Sequence, residues 1–414
     1  MSRGYFYILN QVYFYNFTFQ TDFDSPSDGT FSPALAVING ELPTWNLIGG
    51  TEYVEQTGVT QSDRTTTETL DASELDGTTQ NISVTFSTND PTNITAFNAP
   101  SDFLVGALDI SLFTSLTTLN VSNNNLTSIV NPTISGAFTN YNIDDNSITE
   151  LDVSMMNLSG SFRARSNGIT TLTLPTNSNV FTYFGVNTNN FTSLDLRGLT
   201  GLGGQLFGFL SPNLETVLFP ESSQTWSQIN FRTCKLTGVL DLSPLDNLAN
   251  LTIFYGNSFL TGVINPTTSS PITQYYFYSC GLTGTLDVSG LTGLSDNFRA
   301  YLNDALTSVA FPPTTNIFNS IWLNDCDLGY IDFTVMTNCI DINDATIRLQ
   351  GNLMTAAEVN QILVDIDSIT DGLYTGRSIN ISGDNAAPDS SSGGFDGDAA
   401  IVSLATKNIT VTAS

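Results

Sequence analysis

The feature that most constrains this 414-residue chain is a short phrase that returns every 21 to 24 residues between Phe97 and Met336. Clear copies read Leu119-Asn-Val-Ser-Asn-Asn-Asn-Leu126-Thr and Tyr275-Tyr-Phe-Tyr-Ser-Cys-Gly-Leu282-Thr. The apolar residue before the Thr falls at Leu104, Leu126, Ile148, Ile169, Phe191, Leu214, Leu236, Leu260, Leu282, Leu306 and Leu328. Self-similarity at such a period means a solenoid: each unit is too small to bury its own apolar face, so it must stack on its neighbours. The expected fold is mainly β, with a parallel sheet along one face.

Within each copy, apolar residues two apart precede a small polar residue by five and three positions. The pairs read Leu119/Val121, Tyr141/Ile143, Phe184/Val186, Phe207/Phe209, Ile229/Phe231, Tyr275/Phe277 and Ile321/Leu323. A two-residue spacing puts both side chains on one face of a short strand, pointing into the coil. The polar position holds Asn124, Asn146, Asn167 and Asn189, then Cys234, Ser258, Cys280, Asp304 and Cys326. Its expected role is a ladder, in which a short donor satisfies buried backbone carbonyls where the chain leaves the strand. This pattern, L-x-L-x-x-[N/C]-x-L, resembles the leucine-rich repeat family over about 240 residues, with departures at Pro212, which falls on the ladder position, and at Arg299, whose coil is expected to shift by one residue.

The ladder placement bears on the cysteines. Cys234, Cys280 and Cys326 lie two coils apart, roughly 10 Å at about 4.8 Å per coil, which is beyond disulfide reach. With no histidine in the chain, no metal site is expected from them. A second rhythm places Asp109, Asp152, Asp195, Asp241, Asp287 and Asp332 in alternation with Pro132, Pro175, Pro220, Pro266 and Pro312. The true unit is therefore a double coil, with the Asp expected to shape a turn rather than to bind calcium.

The flanks differ. Residues 1–92 read as an N-terminal β-rich arm or anchoring domain, with strand candidates at Tyr5–Leu9, Val12–Phe19, Ala34–Ile38, Trp45–Ile48, Glu52–Glu55 and Ile82–Phe86. Residues 93–340 are the solenoid. Residues 341–414 read as a C-terminal cap, with a capping box at Thr355-Ala-Ala-Glu358 opening a helix, Asp384 on the ladder and a second helix at Asp398–Lys407.

A net charge of −28, with 11 basic residues against 39 acidic ones, argues against nucleic acid as a partner. No apolar run is long enough for a membrane span, and Met1–Gln20 lacks the apolar core of a secretory signal. The lack of histidine removes Ser-His-Asp and Cys-His catalysis, and no phosphate-binding glycine motif is present. The expectation is a non-enzyme without catalytic residues, metal or cofactor.

The outward residues of the strand face supply the candidate recognition surface: Arg163, Arg165, Arg232, Phe254, Tyr276, Tyr278 and Trp322. Exposed aromatics with arginine are the usual material of binding hot spots and of sugar stacking. The Leu-Thr-x-Leu-Asp-x-Ser coils, with the terminal loop Gly383-Asp-Asn-Ala-Ala-Pro388 and Lys407-Asn-Ile-Thr-Val-Thr412, resemble surface leucine-rich repeat proteins of Bacteroidetes and virion proteins of their phages. The resemblance implies binding at surfaces. The expected setting is a phage virion, as a spike, fibre or capsid-associated component. The N-terminal region would dock on other virion proteins, the solenoid would face a host glycan or protein, and the chain would form a homo-oligomer. The alternative setting is a bacterial cell-surface adhesin.

Overall fold

Inward pairs stack coil on coil, and in the computed structural model they build a parallel β-solenoid. The structure describes residues 15–21, 34–37, 44–48, 56–60, 82–88, 94–101, 104–370 and 374–414. Two compact units divide the chain, residues 1–175 and 176–414.

In the first unit, strands Ile94–Asn98, Thr118–Asn120, Ile134–Asn142 and Met156–Arg163 run parallel, with Asn98, Asn120, Asn142 and Arg163 in register. The N-terminal strands cover the edges of the first coil. Ala34–Val37 pairs antiparallel with Ile94–Asn98, and Tyr15–Thr21 pairs antiparallel with Leu104–Asp109. An open edge offers a row of unpaired backbone groups to other chains, and these strands close it. Thr44–Ile48, Gln56–Thr60 and Ile82–Thr88 extend the second of these sheets. The candidates at Tyr5–Leu9 and Glu52–Glu55 lie outside the described residues.

In the second unit, parallel strands run from Phe181–Gly185 to Ile409–Thr412. Their register aligns Gly185, Phe207, Asn230, Ile253, Tyr276, Arg299, Trp322, Arg348, Asn380 and Thr412. Helix α1 (Ala356–Ile369) carries the capping box, with Thr355 Oγ1 accepting from the Glu358 amide and Glu358 accepting from the Thr355 amide. It buries Val359, Ile362, Leu363 and Ile366. Helix α2 (Gly397–Thr406) starts at Asp396, whose side chain accepts from the Ala399 amide.

The double coil has a structural basis. On the side away from the long strands, Asp-ended strands pair with the strand of the following, Pro-ended coil in separate two-stranded sheets: Glu150–Asp152 with Thr171–Thr173, Thr237–Asp241 with Phe259–Ile264, and Thr283–Asp287 with Ala305–Ala310. The Asp side chain then accepts from the amide two residues on, as at Ser111, Ser154, Arg197, Ser243, Ser289 and Thr334, closing a tight Asx turn.

Candidate functional site

The ladder fixes where every outward side chain points. Asn124 Nδ2 donates to Ala99 O and Val121 O, while its Oδ1 accepts from the Leu104 amide. Asn146 and Asn167 repeat this, reaching Val121 O and Ile143 O of the preceding coils at 2.9 and 3.0 Å. Asn189 donates to Val186 O. Cys234, Cys280 and Cys326 donate weakly to Gly208 O, Phe254 O and Ala300 O, at 3.3–3.4 Å. All four cysteines are free thiols. Burial pushes Cys234 and Cys280 up to about 11, and Cys326 and Cys339 up to about 12.

Four ladder positions differ from the sequence expectation. Asn257 and Asn303 occupy the places expected for Ser258 and Asp304, Asn385 that of Asp384, and Ser211 stands one residue before Pro212. The cause is chemical. An Asn on the ladder accepts, through Oδ1, the amide of the anchor leucine in the coil before it, as Asn257 does from Leu236 and Asn303 from Leu282. A thiol is a poor acceptor. The coils that precede Cys234, Cys280 and Cys326 therefore carry one extra turn residue, which turns the anchor amide back onto its own coil: Leu214 to Ser211 O, Leu260 to Asn257 O and Leu306 to Asn303 O.

The extra residue rotates three coils relative to the expected pattern. Phe254 points inward and is fully buried, with its ring parallel to Phe231 at 5.7 Å and to Phe277 at 5.2 Å; it belongs to the core, not to the recognition face. Ala300 is likewise inward. Leu206 and Gly208 are the inward pair where Phe207 and Phe209 were expected, and Gly208 faces the core so closely that a Cβ there would stand 2.2 Å from the Phe231 ring.

What rotates outward is a pair of side-chain stacks on the strand face of the second unit. In the first, Tyr255, Tyr278 and Tyr301 lie ring on ring, with centroids 4.3 and 4.6 Å apart and planes within 9° and 6° of parallel. In the second, the Arg299 guanidinium sits between Tyr276, at 5.0 Å, and Trp322, at 4.0 Å, while Arg348 covers Trp322 at 4.0 Å. Trp322 Nε1 donates to Thr346 Oγ1 at 2.9 Å, and Arg299 Nε donates to Ser320 Oγ at 3.4 Å. Further along the same face, Arg232 covers the Phe209 ring at 4.3 Å. Burial among neighbours, followed by the flanking phenols of Tyr255 and Tyr301, raises Tyr278 above the ordinary phenol range. Tyr276 is raised by burial against the pull of Arg299. Both are neutral hydroxyls at physiological pH.

The arginines of the first unit are held differently. Arg165 donates through Nε to Asp144 Oδ2 at 2.7 Å, and the Asp144 side chain is buried. Arg163 Nε donates to Ser161 Oγ at 3.2 Å. Of the sequence candidates, Arg232, Tyr276, Tyr278 and Trp322 therefore share one face with Tyr255, Tyr301, Arg299 and Arg348, which sequence reasoning missed.

Among the described residues, no group of three or more His, Cys, Asp or Glu could hold a metal ion. No described helix is long and apolar enough to cross a membrane, which says nothing of a β-barrel. No family model matches the chain, and no curated protein matches it.

Proposed function

We propose that this chain is a non-enzymatic virion structural protein of a phage, a spike, fibre or capsid-associated component, whose solenoid displays the strand face of residues 176–414 for recognition of a host surface or a protein. The observation that carries the recognition reading is the pair of stacks. Seven large side chains, Tyr255, Tyr276, Tyr278, Arg299, Tyr301, Trp322 and Arg348, stand on the outside of the coils in preset positions without filling the core. Rigid aromatics and arginines bind at small entropic cost, because little side-chain freedom remains to be lost. The phage setting is supported by the sequence resemblance alone, including its leucine-rich repeat phrase. In this reading the N-terminal region docks on other virion proteins and the chain assembles as a homo-oligomer.

The test is mass spectrometry of density-purified particles from a phage that encodes the chain. Recovery of its peptides among the structural proteins supports the proposal, and their absence refutes it. Recovery from the bacterial envelope instead would move the reading to a cell-surface adhesin.

A further inference from the structure

The stacking that orders these side chains also decides what they can offer a ligand. Tyr278 has Tyr255 on one face and Tyr301 on the other; Trp322 has Arg299 on one side and Arg348 on the other. Sugar rings stacked on aromatic faces need those faces open, and here neighbours cover both faces of Tyr278 and of Trp322. What remains is edges: a row of phenol hydroxyls, and beside it the outer N–H groups of two guanidiniums.

Those guanidiniums are unusual in this chain. Among the described residues, Arg165, Arg197, Lys235, Arg377 and Lys407 each have a carboxylate partner. No described carboxylate stands within 4.0 Å of Arg232, Arg299 or Arg348. A chain with 39 acidic residues thus keeps, on one strand face, three of its 11 cations outside any ion pair with a described carboxylate. Held over aromatic rings, a guanidinium retains outward N–H groups that can meet a carboxylate. Arg299 and Arg348 are two coils apart, which is about 10 Å along the solenoid axis. Gln228, Gln274 and Asn297 lie in the neighbouring column of the same face, two residues before Asn230, Tyr276 and Arg299.

We propose that this face binds an extended acidic polysaccharide lying along the solenoid axis, its carboxylates on Arg299 and Arg348 and its hydroxyls along the Tyr255–Tyr278–Tyr301 edge and the amide column. This deepens the recognition reading and rests on it. The anion is called for locally, by the guanidiniums of Arg299 and Arg348, in a chain whose net charge is −28. The row of hydroxyls and amides favours one rich in hydroxyl groups at a coil-like spacing. Side chains on one face of an extended acidic peptide repeat at about 6.8 Å, out of step with the coils.

The experiment is calorimetric titration of the full chain with a β-linked octasaccharide carrying one uronate per disaccharide, and with the same octasaccharide after reduction of its carboxyls. The acidic probe is expected to bind, with about tenfold or greater loss on carboxyl reduction and steep weakening as salt is raised. Arg299→Gln and Arg348→Gln are each expected to weaken binding several-fold. Arg348 is exposed at the end of its stack, so its replacement leaves the fold intact by circular dichroism. No binding of the acidic probe, equal binding of the reduced probe, indifference to both substitutions, or equally tight binding of an oligoglutamate peptide would each overturn the proposal. If the probe fails while attachment of the protein to host cells still depends on Tyr276, Tyr278 and Trp322, the acidic class falls and the recognition surface stands. If attachment is also independent of them, both fall.

Discussion

Replacing Asn303 by alanine removes one amide that makes four bonds to the backbone, three of them buried. Asn303 is fully buried; Nδ2 donates to Phe277 O at 3.0 Å and to Ala300 O at 2.8 Å, and Oδ1 accepts from the Leu282 amide at 3.2 Å. Alanine leaves the Leu282 amide and the Phe277 carbonyl without that partner, each at about 1–3 kcal/mol. Ala300 O loses less, because Cys326 Sγ still donates to it. The expected total is about 3–5 kcal/mol. Cys326→Ala, one coil on, removes only a weak donor, at 3.4 and 3.6 Å from its acceptors, and a small apolar volume. Its expected cost is about 1–2 kcal/mol. Urea unfolding measures both losses. Hydrogen exchange should place the Asn303 effect in the adjoining coils, since repeats contact only their neighbours. Equal losses for the two variants, or an Asn303→Ala protein within about 1 kcal/mol of wild type, would refute the argument that the asparagine amide closes the turn.

Other consequences follow from buried groups. Thr252 is fully buried on the inward face and its hydroxyl has no partner, so Thr252→Val should stabilise the protein by about 1 kcal/mol in urea unfolding, and a loss of stability would contradict that burial. The thiols should be inert to Ellman's reagent at pH 8 in the native protein, and all four should react after unfolding. Because burial raises the folded thiol values to about 11–12, the unfolded chain releases protons first. Their contribution to stability is therefore complete below about pH 8.5 and falls as pH rises toward those values. Flat stability over that range would argue against thiol burial. In the C-terminal cap, Arg377→Met removes the guanidinium that pairs with the buried Asp341 carboxylate at 2.7 Å, and should cost about 3–5 kcal/mol in thermal or urea unfolding; a near-neutral effect would contradict the burial of that pair.

The solenoid was legible because its signals repeat: one wrong reading of Leu119 or Tyr141 would have been corrected by the next coil. A one-residue shift was read only for the coil of Arg299 and Ala300; the same rotation at Phe254 was not read, although a trace of it was present. Gaps of 24 residues end at Leu260 and Leu306 and one of 23 at Leu214, where the other gaps are 21 or 22. Reading those gaps as an inserted turn residue requires the bond from a leucine amide to the next coil's ladder side chain, which no single coil displays. Phe254 and Tyr255 fit either face equally well by residue type, so the Tyr255–Tyr278–Tyr301 row emerges only once the register is known. The arginines were visible as rare cations. Whether a carboxylate neutralises each is a property of packing, and it separates Arg165, held by Asp144, from Arg299 and Arg348.

The central claim is that the strand face of residues 176–414 is a recognition surface. Its most direct measurement is attachment of the fluorescently labelled protein to host cells, comparing wild type with a folded Tyr276→Ser, Tyr278→Ser, Trp322→Ser variant. These side chains stand outside the core, so the variant should keep its circular dichroism spectrum and its cooperative unfolding. Attachment is expected to fall about tenfold or more, in line with the loss of clustered aromatic anchors. Equal attachment by the two folded proteins would contradict the account.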